Sequence, residues 1–165
     1  MADPVLITVH AAAAGYALLL GAFQLLRRTK GGALHRVIGR TWVAAMLIVV
    51  GTSFGIRTLS DGFSWLHALS VLTIVTVTAG VVAAFRRNIP SHRAFMRGSY
   101  FGILGAFIGV LAVPERRIPQ MAVHDLPLLL LWIGALVLTA GFTVAGAARL
   151  ASDLQRRQAP IPPDA

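Results

Sequence analysis

The chain has 165 residues, 56% of them hydrophobic and 13% charged, with a mean hydropathy of +0.74, more apolar than a soluble domain of this size needs. Cysteine is absent, which excludes disulfides, thiolate metal sites and thiol chemistry. The net charge of +9 does not point to nucleic acid, because the basic residues gather between long apolar blocks, as they do in loops that orient membrane proteins.

Taken in order, the blocks are long enough to cross a bilayer, for which a helix needs about 20 apolar residues. They are too long and unbroken for barrel strands, so the fold class is an all-α polytopic membrane bundle, surrounded by lipid. The first span is expected over 4–26. Residues 1–3 lack the basic region of a secretory signal; Ala11 to Ala14 resemble a cleavage site, but the apolar run continues through Leu26 into Arg27-Arg28. A short basic turn containing Gly31-Gly32 follows, then a second span over 35–56. Residues 57–64, with Asp61-Gly62, read as a turn, and a third span covers 65–85. Asn88-Ile89-Pro90-Ser91 reads as the next turn, with Ser91 placed to cap a fourth span over 92–113. A longer loop, 114–126, leads to a fifth span over 127–150. The last segment, 151–165, ends in Ala159-Pro160-Ile161-Pro162-Pro163 and reads as a short disordered tail.

The charges orient these spans. The turns after spans one and three, the starts of spans two and four, the end of span five and the tail hold twelve basic residues, against three (Arg57, Arg116 and Arg117) at the other end. The positive-inside rule then places the N-terminus outside and the C-terminus in the cytoplasm, in a bacterial inner membrane.

One interval organises the chain. His10 and His67 are 57 residues apart, as are His35 and His92, and the same offset lays Arg36 on Arg93 and Arg40 on Arg97. A fixed offset marks a repeated unit, here two tandem helical hairpins forming a four-helix core, with a fifth helix added. In an up-down bundle of four, helices one and three are diagonal, as are two and four. His10 and His67 therefore form an outer pair, and His35 and His92 an inner one. Facing neutral imidazoles suit axial ligation of haem iron, which makes two haem b groups the expected cofactors. Ala14, Ala17 and Gly21 below His10 leave room for a flat macrocycle, although small faces also serve close helix packing. Arg36, Arg40, Arg93 and Arg97 could pair with haem propionates. The layers would lie on the order of 20–25 Å apart, a layout for moving electrons across a membrane to a quinone or other redox partner.

Other readings remain open. Interfacial histidines and arginines are commonly anchors, which would suit a non-redox subunit or assembly factor within a membrane complex. His124 lies another 57 residues after His67. Three outer histidines, His10, His67 and His124, could instead hold zinc or copper, or His124 could relay protons beside a haem. Trp42, Tyr100, Trp65 and Trp132 read as interfacial or packing aromatics. No intramembrane carboxylate pair suits a proton-driven transporter, and no catalytic constellation appears.

The stretches Lys30-Gly31-Gly32, His35 through Val43, Ser53, His67-Ala68-Leu69-Ser70, His92-Arg93 and Met96-Arg97-Gly98 resemble a bacterial family of predicted integral membrane proteins of unknown function. The resemblance covers residues 9–118 and implies the fold and topology but no activity. Where that family tends to a Pro-Gly-Arg-like turn, this chain has Pro114-Glu115-Arg116-Arg117. More distantly, the two-by-two histidine arrangement is similar to two-haem transmembrane b-type cytochromes, an analogy of geometry. It implies His10 and His67 as ligands of one haem and His35 and His92 of the other.

Overall fold

The structure, a computed structural model, describes residues 3–56 and 65–157, with the side chains of 65 and 66 apart. The turn expected over 57–64, Trp65 as an aromatic anchor, and residues 158–165 of the tail lie outside what is described. Among the described residues there are six helices: α1 (Pro4–Leu26), α2 (Ala33–Ser53), α3 (Trp65–Phe85), α4 (Ile89–Leu111), α5 (Arg117–His124) and α6 (Leu126–Arg157). Five of them, all but α5, are long and apolar enough to cross a membrane. Leu72, Val75, Phe101, Leu131, Leu138 and Phe142 point outward, as lipid-facing side chains do.

Local chemistry sets the helix ends. Asp3 caps α1 by accepting from the Val5 amide at 2.9 Å, and Pro4, which has no amide hydrogen to satisfy, opens the helix. Gly31 turns the chain at φ +84°, a conformation that costs glycine little. α2 ends at Ser53, three residues before the expected end. There the Thr52 and Ser53 hydroxyls donate back to carbonyls of the preceding turn, and the chain turns through Phe54-Gly55.

Between α3 and α4, Asn88 donates to the Ala83 carbonyl and Arg87 to that of Ala84, a Schellman closure with Arg87 at φ 58° where glycine is usual. Asn88, not Ser91, caps α4: its side chain accepts from the Ser91 amide at 3.2 Å, and Pro90 sits in the first turn. The helix starts three residues earlier than expected because proline is favourable there rather than disruptive. Replacing Arg87 by glycine should stabilise the protein by about 1 kcal/mol, since it relieves the left-handed conformation of a residue with a Cβ. Thermal unfolding in detergent checks this; an unchanged or lower midpoint would count against the turn as described.

Two elements differ from expectation more widely. The loop expected over 114–126 contains α5, whose polar and apolar residues fall on opposite faces. α6 runs through Arg157 instead of ending at 150, because residues 151–157 contain no helix breaker and two arginines favour its C-terminal dipole. At 1.5 Å per residue its 32 residues extend about 48 Å, well beyond the hydrocarbon core, so the first part of the expected disordered tail is helix.

α1 pairs with α2 and α3 with α4, and the two hairpins close through α2–α3 and α1–α4. The diagonals are therefore α1/α3 and α2/α4, as the repeat requires. α6 packs against α1 and α2. The core contains Ala17, Leu20, Ile38, Trp42, Met46 and Ile103. Hydroxyl contacts join neighbours: Ser53 to Ser70 at 2.7 Å, Thr76 to Ser99 at 2.9 Å, and Tyr16 to Thr143 at 2.7 Å. In lipid each such bond contributes roughly 0.6 kcal/mol.

Candidate functional site

At the end of the bundle that carries the α1–α2 and α3–α4 turns, here called the basic end, His35 and His92 meet across the α2/α4 diagonal. Their ring centres are 6.3 Å apart and their planes cross at 88°. Each ring is held from behind by the other helix of its hairpin. His92 Nδ1 lies 2.9 Å from the Gly80 carbonyl on α3. His35 Nδ1 lies 3.2 Å from Gln24 Oε1 on α1, while Gln24 Nε2 donates to the His35 carbonyl at 2.9 Å.

These partners fix the tautomers. A carbonyl oxygen only accepts, so His92 Nδ1 carries the proton; Gln24, already donating through its nitrogen, offers His35 an acceptor as well. In both rings Nε2 is then the lone-pair nitrogen, the arrangement seen in metal-ligating histidines whose other nitrogen donates to a backbone or side-chain oxygen. Two metal–nitrogen bonds of about 2.0 Å, with the ring radii added, set ring centres about 6.2 Å apart in linear coordination. By spacing and donor chemistry the two imidazoles could share one metal ion.

The arginines expected beside this pair are placed less closely. Arg36 donates through Nη1 to the Gly31 carbonyl at 2.7 Å and is exposed, as are Arg40, Arg93 and Arg97. Among the described residues none of these four forms an ion pair.

At the opposite end of the bundle, His10 is held by the last turn of α2 and His67 lies beside Phe54, the residue that follows that helix. His10 Nδ1 lies 3.0 Å from both the Val49 carbonyl and Thr52 Oγ1. Because the Thr52 hydroxyl donates to its own helix, His10 also carries its proton on Nδ1. His67 is 6% exposed, and its ring lies 5.9 Å from that of Phe54. A histidine ring-to-ring contact is described only for the inner pair. From His10 to Gln24, which touches His35, α1 rises about 21 Å, within the layer spacing expected from sequence.

His124 lies elsewhere, exposed at the end of α5. Among the described residues no three histidine, aspartate or glutamate side chains come close enough to share a metal ion, so the zinc or copper site of His10, His67 and His124 is not formed. The three are carried on different helices, and the equal spacing in sequence does not bring the third to the others.

The small face of α1 is also not an open slot. Trp42 donates its indole N–H to the Ala17 carbonyl at 3.0 Å, and Ala17 is fully buried. A Cβ at Gly21 would collide with the Tyr100 ring and come within 2.8 Å of Trp42 Nε1. Ala17 and Gly21 therefore serve close packing, and Trp42 and Tyr100 fill the level between the two histidine layers. Sequence reasoning also missed Gln24. Its signal was available: it is the only amide side chain in the first span, where an unpaired polar group would be costly.

No curated protein and no solved structure matches the chain. A family model does match, over residues 7–148, which takes in the four histidines of both layers and all five spans except the ends of the first and last. With its apolar helices and exposed apolar surface, the chain belongs to the family described as predicted membrane protein (DUF2306).

Proposed function

We propose that the protein is an integral membrane electron carrier of the b-type cytochrome kind, with His35 and His92 as axial ligands of one haem and His10 and His67 as those of a second. The observation that carries this reading is the inner pair: two imidazoles 6.3 Å apart on diagonal helices, each with Nδ1 engaged and Nε2 left to coordinate. Haem supplies reversible one-electron chemistry when bound. The chain's own contribution is to hold the imidazoles in one tautomer, exclude water and offer cations to propionates, for which Arg36, Arg40, Arg93 and Arg97 stand at the basic end. Its electron donor or acceptor is a quinone or a protein partner in the membrane.

The twelve-to-three division of basic residues supports a cytoplasmic basic end and C-terminus. A reporter fused after Arg157 should behave as cytoplasmic and one inserted near Gln120 as external. An external C-terminal reporter would invert or break this topology.

The absorbance spectrum of the purified protein tests the function. Dithionite reduction should sharpen the Soret band and reveal an alpha band. A protein expressed with adequate haem supply that shows neither is not a cytochrome. The filled space beside Ala17 and Gly21 favours a second reading, in which the histidines tie helices together in a non-redox subunit. Gln24→Glu separates the two further. A carboxylate behind His35 makes a coordinating imidazole more basic, lowering the midpoint of one haem by on the order of tens of millivolts. If the histidines are only anchors, no spectral signal responds.

A further inference from the structure

A groove of about 370 Å³ runs along the lipid-facing side of α1 and α6, walled by Leu19 and Phe23 on one side and Val137, Gly141, Ala145 and Ala148 on the other. Its lining is almost wholly apolar. From Val137 to Ala148 it extends about 16 Å. That is the depth of one leaflet, half of a hydrocarbon core of about 30 Å.

α1 and α6 run in the same direction, and at the basic end both walls finish in arginine. Arg27 follows Phe23 by four residues, one turn on along the same face, and Arg149 follows Ala145 by the same step. Arg27 Nη1 is buried and has no hydrogen-bond partner, the one such side-chain atom among the described residues. Nearby donors are otherwise engaged: Lys30 bonds the Leu25 carbonyl at 3.1 Å and Arg36 that of Gly31. Asp153, the acid on α6 at this end, is exposed and forms no ion pair among the described residues. A desolvated guanidinium nitrogen without an acceptor is costly, and an oxyanion is the acceptor its geometry suits.

We propose that this groove holds an acyl chain of an anionic phospholipid whose phosphate is bound by Arg27. The groove accounts for the chain, the free donor for the phosphate, and Arg28, Lys30 and Arg149 for the preference for negative charge. Basic pockets between membrane helices bind anionic headgroups in this way. Arg27 stands at the same end of the bundle as His35, which its charge also reaches, but lipid binding by the groove does not require haem.

Native mass spectrometry of the purified protein tests it, using phosphatidylglycerol and phosphatidylcholine with identical chains. Phosphatidylglycerol should be retained and phosphatidylcholine released. Arg27→Gln should weaken phosphatidylglycerol binding about tenfold, the loss of one charge-assisted contact. Gly141→Leu should weaken it too, by filling the groove. That variant is expected to fold, since a Cβ at Gly141 meets nothing within 4 Å and leucine favours helix over glycine. Equal retention of the two lipids, or full phosphatidylglycerol binding by Gly141→Leu, overturns the proposal. Displacement of the lipid by inorganic phosphate alone would assign Arg27 to a soluble anion and overturn it as well.

Discussion

Membranes carrying His35→Ala or His92→Ala are expected to lose about half of the reduced b-type absorbance, and each variant to lose the same half. The expectation follows from geometry. The two rings meet at 6.3 Å, so removing either would leave a haem iron proposed to sit between them with one protein ligand. No other histidine is near enough to replace it, because His10 lies about 21 Å away along α1. His10→Ala and His67→Ala should remove the other half and spare the inner spectrum. Difference spectra of the four variants, normalised to protein, make the measurement. Equal and complete loss in all four would signal misfolding in place of ligand removal. Full haem content in His35→Ala would end the assignment of the inner site.

Trp42→Ala should cost about 3 kcal/mol of stability in a bilayer-like solvent. Trp42 is 5% exposed, packs in the core and bonds the Ala17 carbonyl. Truncation leaves a cavity of about 140 Å³ before relaxation, and at about 24 cal/mol per Å³ this sets the estimate. Transfer of the side chain itself adds little, because lipid is as apolar as the core. Trp42→Phe keeps most of the volume and loses the N–H donor, so it should cost only about 1 kcal/mol. Unfolding in mixed detergent–SDS micelles compares the two. A loss below about 1 kcal/mol for the alanine variant would mean that α2 does not seat against α1 as described.

The five spans, the basic turns between them and the pairing of His35 with His92 were legible because each rests on a local or repeated feature. A backbone in lipid must bond to itself, so a long apolar block can only be a helix, whatever its neighbours. The 57-residue offset then assigned α2 and α4 to one diagonal before any contact was known. Helix ends were less legible. At Asn88 and Ser91 two good capping residues compete, and Pro90 decides between them by fitting the first turn. At residues 151–157 a change from apolar to charged composition marked the end of the membrane but not the end of the helix.

Only the tertiary structure decided what each helix face touches. Ala17 and Gly21 are small in any reading, and whether they admit a macrocycle or an indole depends on how α2 and α4 are rotated about their axes. Trp42 and Tyr100 settle it, since a residue at Gly21 with a Cβ could not coexist with either. The same rotation brings Gln24 behind His35 and carries His124 away from His10 and His67 despite its matching interval. The physical reason is that the bilayer constrains each span along the membrane normal, from the composition of that span alone. Rotation and lateral packing carry no such local penalty in lipid and are fixed only when side chains from several helices close on one another.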